Sequence, residues 1–367
     1  MEKIQRWVLS LCLIVCISPA IALSTEIASA LTVESVTTSP VALGDALKIK
    51  INGLSAALSQ NKYKLSDFIL YIDGHPIPFA ASEGAFSAGS DELAFLLTRE
   101  DLNRLSWDPI LGAPRDYTRK INVSIGLNGQ AGVLPNTVTG VLTVVDKGWL
   151  IIMGAALIAV AFILVIASIK GEIIRDATPA DFAGAKVRGN LEPKRTYSLS
   201  QFQMAWWFFI ILGSYLFLLL VTHNFTALST QALMLMGISA TTAGFARMIE
   251  VNKANPTLDA FTDVVTQINS AKAKQVPAAA MAALFANRDL LAAKLASKGF
   301  IQDVLSDVSG ISLHRLQNFI WTLVLSFVFI AEVYRHLAMP EFDGTTLALL
   351  GISGGTYLGF KVPEQAT

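Results

Sequence analysis

Residues 198–242 recur at 312–356, 114 positions later (312 minus 198) and without a gap. Ser198-Leu199 answers to Ser312-Leu313, Gln203 to Gln317 and Trp207 to Trp321. Leu233, Leu235, Gly237-Ile238-Ser239 and Thr242 answer to Leu347, Leu349, Gly351-Ile352-Ser353 and Thr356. Each copy is a long apolar segment, a short polar break and a second apolar segment containing glycine. Apolar runs of this length, with almost no charge, predict helices that cross a bilayer. The repeat therefore predicts a duplicated membrane hairpin.

Composition agrees. Charged residues make up 15% of the 367 and hydrophobic ones 53%, and mean hydropathy is +0.53. A soluble domain carries about a quarter charged residues, so the aqueous parts are modest. A net charge of zero leaves no basic field for nucleic acid and no acidic field for a cationic partner.

The first thirty residues have the pattern of a secretory signal peptide. Lys3 and Arg6 are followed by an apolar run from Trp7 to Ile17, Pro19, and the small-x-small sites Ala20-Ile21-Ala22 and Ala28-Ser29-Ala30. Cys12 and Cys16, the only cysteines, lie inside that run. Removing it would leave no thiol for a disulfide, a Cys-ligated metal or a nucleophile.

From Leu31 to Lys147 short β-rich runs alternate with turn residues. The runs are 31–38, 46–51, 68–73, 92–98, 121–127 and 138–145, with Asn52-Gly53, Asp73-Gly74 and Asn128-Gly129 as turn signals. Six or seven strands in this length predict a small immunoglobulin-like sandwich. A helical turn is expected over 101–107.

The remainder predicts five spans. Residues 150–169 form the first, an uncharged stretch of about 30 Å as helix. Spans over 202–222 and 230–246 make the first hairpin, and spans over 316–337 and 345–360 the second. The fifth is the shortest, about 24 Å: either Lys361 at its end snorkels to complete a span, or the segment is re-entrant. The full division is signal peptide 1–30, periplasmic β-sandwich 31–147, first transmembrane helix 148–170, cytoplasmic connector 171–201, hairpin 202–246, cytoplasmic helical segment 247–311, hairpin 312–361 and cytoplasmic tail 362–367. Residues 170–201 carry six Lys/Arg and residues 247–315 eight, whereas the turns 223–229 and 339–344 carry none. The positive-inside rule then puts the β domain in the periplasm and the C-terminus in the cytoplasm, so the two hairpins run parallel. The expected fold is thus an all-β sandwich followed by a helical bundle of five spans with two parallel two-helix repeats.

Several residue groups bear on function. Gly351, Gly355 and Gly359 share one face of the fifth span, and Gly237, Ala240 and Gly244 lie on the third. Small residues four apart allow close helix approach, either within the chain or in assembly. Glu332, Arg335 and His336 fall at i, i+3 and i+4 near the outer end of the fourth span; with His223 and Glu341 they make a candidate proton or metal site. Gln203 and Gln317 stand where each hairpin begins, placed to bond across to the other hairpin or to cap their own helix. Trp207 and Trp321 are expected as interfacial anchors, and Ser198 and Ser312 as N-caps. The four histidines are scattered, and no phosphate-loop, dinucleotide or nucleophile-elbow motif is present. Asp73, Asp91 and Glu92 suit turns and strand ends. No catalytic residue, cofactor site or metal site is therefore assigned.

The phrases Tyr197-Ser198-Leu199…Gln203-Met204-Ala205-Trp206, Ser312-Leu313-His314-Arg315-Leu316-Gln317, Met339-Pro340-Glu341-Phe342 and Leu349-Leu350-Gly351-Ile352-Ser353…Gly355-Thr356-Tyr357-Leu358-Gly359-Phe360-Lys361 resemble those of an uncharacterised family of bacterial membrane proteins. The resemblance spans roughly 195–361. It implies a bacterial inner-membrane location and assigns no activity. The expected role is a non-enzymatic envelope anchor or assembly and recognition component, its partners the lipid bilayer and a second copy or another envelope protein. A homo-oligomeric channel or transporter, and an enzyme without a recognisable motif, are the alternatives.

Overall fold

The computed structural model describes residues 31–60, 63–78, 91–100, 103–128, 132–170, 173–176, 181–187, 191–224, 228–252, 255–307, 310–341 and 344–362. The expected signal peptide over 1–30, the Gly129 half of one turn signal and residues 363–367 lie outside the described residues. The chain divides into two compact units, one reaching to Leu150 and including Leu219–Asn224, the other comprising Ile151–Leu218 and the chain from Phe225 onward.

The amino-terminal unit is β-rich. Its strands are β1 (Thr32–Val36), β2 (Val41–Ala42), β3 (Ala46–Asn52), β4 (Phe68–Ile72), β5 (His75–Ile77), β6 (Glu92–Leu96), β7 (Thr118–Leu127) and β8 (Val138–Thr143). One sheet has the order β1-β3-β6 and the other β2-β8-β7-β4-β5. All neighbours are antiparallel except β2 and β8, which pair in parallel through Val41 opposite Leu142. Period-two patterning decides the faces. In β3, Leu47, Ile49 and Ile51 are buried while Lys48 and Lys50 are exposed; Ile121, Val123 and Ile125 do the same service in β7.

Local details sharpen the expected turns. Asp73 and Gly74, at φ 49° and 80°, close the β4–β5 hairpin with the two left-handed residues that a tight turn of matching twist needs. Asn52-Gly53 behaves differently: Gly53, at φ 78°, opens the helix α1 (Leu54–Ser59) rather than a hairpin. The crossing turn expected over 101–107 is α2 (Arg104–Leu111), which starts later and runs one turn further. Trp107 is fully buried there. Its Nε1 donates to the Thr98 carbonyl at 3.0 Å, so its one polar atom is satisfied. Arg99 and Asp108, 2.9 Å apart, clip α2 to the chain after β6.

The second unit is helical. α3 (Lys147–Ile169), α4 (Leu199–Thr222), α5 (Thr230–Asn252), α6 (Pro256–Ala273), α7 (Ala278–Leu295), α8 (Phe300–Leu305), the short pair β9 (Ser306–Asp307) and β10 (Gly310–Ile311), α9 (Leu313–His336) and α10 (Gly344–Lys361) follow in order. Four of them, α3, α4, α5 and α9, are long and apolar enough to cross a membrane. The chain is a multi-pass membrane protein with a β-rich amino-terminal region. No residue of α3 is fully buried, and a helix apolar on every side and largely uncovered suits lipid. α10 is not among the four: its 18 residues reach about 27 Å, but Gly, Thr and Lys361 dilute its apolar character.

Two helices extend past the charges that bound the expected spans. A charge ends a span but not a helix, because an α-helix continues readily in water. α5 therefore passes Arg247 and reaches Asn252, and α9 begins at Leu313 instead of Leu316. Pro256 is the first residue of α6, a position where its missing N–H costs no hydrogen bond. Asn255 caps α6 by accepting from the Leu258 amide at 2.9 Å, and Pro277 precedes α7. Phe261 of α6 packs with Phe182, Ala292 and Leu295 in a small core.

Candidate functional site

The least expected feature of the helical unit is a ladder of buried polar side chains joining α4, α9 and α10. Asn318, Thr322 and Ser326 stand at i, i+4 and i+8 on one face of α9, and all three are buried. Eight residues at 1.5 Å rise span about 12 Å of helix, so the ladder reaches well inside the apolar stretch. Gln203 of α4 donates from Nε2 to Thr322 Oγ1 at 2.6 Å and to the Asn318 carbonyl at 3.4 Å. Asn318 Nδ2 donates in return to Gln203 Oε1 at 3.3 Å. From α10, the Ser353 hydroxyl donates to Asn318 Oδ1 at 3.0 Å. Trp206 Nε1 donates to Ser326 Oγ at 2.8 Å. The Thr322 and Ser326 hydroxyls donate one turn back, to the carbonyls of Asn318 and Thr322. Buried polar groups without partners are costly; here each amide and hydroxyl answers another.

Gln203 bonds across to α9 rather than capping its own helix. Gln317, its counterpart, is exposed; Asn318 takes the equivalent work one residue on. The positions 114 residues before Asn318, Thr322 and Ser326 are Met204, Phe208 and Leu212, so the three polar positions of α9 have no polar counterpart in α4. Trp207 is buried edge-on against Phe329, 6.1 Å between ring centroids. Ser312 stands at the N-cap of α9 without a side-chain cap bond; its hydroxyl lies 2.7 Å from His314 Nδ1 instead. The Ser198 hydroxyl lies 3.2 Å from that of Ser200.

A charged cluster lies at the Leu313 end of α9. Lys361 is buried, and its ammonium donates to the Tyr357 hydroxyl at 3.4 Å, so it turns inward instead of snorkelling. The Arg315 guanidinium sits 5.8 Å from the centroid of the same ring. Asp176 and Glu250 supply opposite charge to Lys361. Beside them the buried Arg175 guanidinium stacks 3.9 Å over the Tyr197 ring and donates to the Arg195 carbonyl. Among the described residues, Arg175 Nε and Asp176 Oδ1 are buried without a hydrogen-bond partner.

The glycine faces lie elsewhere than within-chain packing requires. Gly351, Gly355 and Gly359 are exposed, as are Gly237, Ala240 and Gly244. Among the described residues, a Cβ at any of these five glycines would meet nothing within 4 Å. α10 packs through Leu350, Ser353, Gly354, Tyr357 and Lys361. The close approach falls at Gly354, where a Cβ would stand 2.9 Å from Thr242 Oγ1 of α5.

Glu332 and His336 pair at 3.4 Å with side chains 43% and 59% exposed, and Arg335 is exposed beside them. Among the described residues no three His, Cys, Asp or Glu side chains could hold a metal. An apolar groove of about 270 Å³ runs between α3, α4 and α9, lined by Leu157, Ile210, Gly213, Phe217, Val333 and Tyr334 among others.

In the β-rich unit the carboxylates have structural partners. Asp73 accepts from the Asn122 amide at 2.9 Å and Glu92 from the Thr37 hydroxyl at 3.1 Å. Asp91 accepts from the Ser55 amide at 2.9 Å and the Ser55 hydroxyl at 2.7 Å, standing in for the side-chain cap that Gly53 lacks at α1. Those bonds, the amide first, hold the Asp91 carboxyl below its usual range, with a further contribution from Lys50.

Comparison with known proteins finds no matching family model, no similar curated protein and no similar solved structure.

Proposed function

We propose that this chain is a non-enzymatic anchor and assembly component of a bacterial envelope. The polar ladder carries this reading. Polar groups inside a membrane bundle that serve transport or chemistry face a cavity or include ionisable members; Gln203, Asn318, Thr322, Ser326 and Ser353 are neutral and engaged with one another. Such bonds fasten helices, so the bundle is a fixed mount for what it carries.

What it carries is an immunoglobulin-like sandwich in the periplasm, a reading supported by the two sheets and by their alternating buried residues. In this reading the chain is delivered by a signal peptide to the inner membrane. α10 is a fifth, short span, α4–α5 and α9–α10 are parallel repeats, and the C-terminus is cytoplasmic. The resemblance to an uncharacterised family of bacterial inner-membrane proteins supports the location. The outward glycine faces of α5 and α10 support assembly with a second copy or another envelope protein.

Gentle extraction from native membranes, mass determination and peptide sequencing of what co-purifies test the proposal. A stoichiometric complex, weakened by Gly351→Leu and Gly355→Leu together, is the expected result. A monomer with no bound protein would overturn it. A pure homo-oligomer that conducts ions in planar bilayers, with conductance altered by Glu332→Gln, would favour a channel formed between copies.

A further inference from the structure

The segment just before α9 exposes large apolar side chains on a rigid support. Ile301 of α8 is 61% exposed, Ile311 of β10 76% and Leu313, the first residue of α9, 78%. Ile301 and Ile311 line one groove of about 600 Å³ with Leu305, Gln302 and Lys298 on its walls. The support beneath is fixed from behind. Phe300 packs edge-on against Tyr197 and Phe202, with centroids 5.3 and 5.2 Å away, and Val304 is fully buried. Asp303 accepts from the amides of Tyr197 at 3.2 Å and Lys298 at 2.9 Å, and from the Ser297 hydroxyl. The Ser312 amide donates to the Leu305 carbonyl at 2.9 Å, so α8 is tied directly to the start of α9.

We infer that α8 with β9 and β10 is a bilayer-surface platform, seated in the boundary between headgroups and acyl chains. The inference rests on the reading that α9 crosses the membrane. Covalent continuity identifies the occupant. Ile311 lies two residues before an apolar span and Leu313 opens it, so their side chains are at the depth where the span leaves the hydrocarbon. Apolar side chains on one face with a cation at the rim are what an interfacial element presents to lipid. Lys298 stands at the groove edge, where its ammonium reaches lipid phosphate while its stem lies along the apolar wall.

Site-directed spin labelling tests this in vesicles of phosphatidylethanolamine and phosphatidylglycerol. The full chain carries Cys12→Ser and Cys16→Ser, with single labels at Ile301→Cys, Ile311→Cys and Leu313→Cys. Phe327→Cys, exposed in mid-span, is the lipid reference, and Lys274→Cys, exposed after α6, the aqueous one. Labels at 301, 311 and 313 should collide with a water-soluble nickel chelate several-fold less often than at 274, and with oxygen nearly as often as at 327. Nickel collision at 301 and 311 equal to that at 274, with 327 still in lipid, would overturn the platform and leave the span intact. Low collision with both reagents would place a protein on this face and overturn it as well. Free access of nickel to 327 would remove the span itself.

Discussion

Asp91 shows how a single side chain serves the β-rich unit by position. Helix α1 follows a glycine and has no side-chain cap of its own, and a carboxylate 36 positions away (91 minus 55) takes that place. Its folded-state affinity for a proton is depressed, so the unfolded chain binds the proton more readily. The stability it contributes is present above the unfolded pKa and is lost as pH falls through the folded one. Asp91→Asn should lower the melting temperature of the full chain's β signal at pH 7. The gap from the parent should shrink towards pH 3, as circular dichroism would read; a gap constant with pH would remove the electrostatic account. Within the ladder, Asn318→Leu and Thr322→Val each leave Gln203 short of a partner. Membrane hydrogen bonds contribute about 0.6 kcal/mol on average and up to about 1.7, so each change should cost about 1 kcal/mol. The two should cost less together than their sum, because they share Gln203. Detergent-induced unfolding of the helical unit measures both.

At the scale of elements, α10 carries two glycine faces with opposite roles. Gly354 meets Thr242, and a leucine there forces α5 and α10 apart. Overpacking of this kind costs about 1–3 kcal/mol, and Gly354→Leu should destabilise the bundle by that order, with Thr242→Ala relieving part of it. Gly351→Leu on the open face should leave bundle stability unchanged, since a Cβ there meets nothing within 4 Å among the described residues. Equal losses from both substitutions would contradict the difference between the faces. Spacing alone cannot separate them: Gly351, Gly355 and Gly359 form the regular four-residue pattern, whereas Gly354 interrupts it. The ladder had a readable signal, since Asn318, Thr322 and Ser326 are the polar positions of one helical face in an otherwise apolar run. The duplicated Gln203 and Gln317 drew notice instead, and only one of that pair is buried.

For the whole molecule, topology is the test. If positive charge sets orientation, labelling of intact cells by a membrane-impermeant thiol reagent should reach a cysteine in the β-rich unit, such as Ser35→Cys. It should not reach Lys274→Cys until the inner membrane is opened. The reverse pattern would invert the assignment and move the platform before α9 to the outer surface.

Sequence alone determined what depends on composition along the chain. The apolar runs set the membrane helices, because transfer from water to lipid is summed residue by residue. Period-two alternation set the strands, and Asp73-Gly74 set the turn of one hairpin, because those conformations are decided within a few residues. Tertiary structure alone decided which face of each element meets a neighbour. Gln203 found Thr322 across 119 positions, Gly354 rather than Gly351 took the contact with α5, and Lys361 turned inward to Tyr357. Those outcomes depend on the rotation and approach of whole helices, which are fixed jointly by every side chain at a contact and by none of them alone.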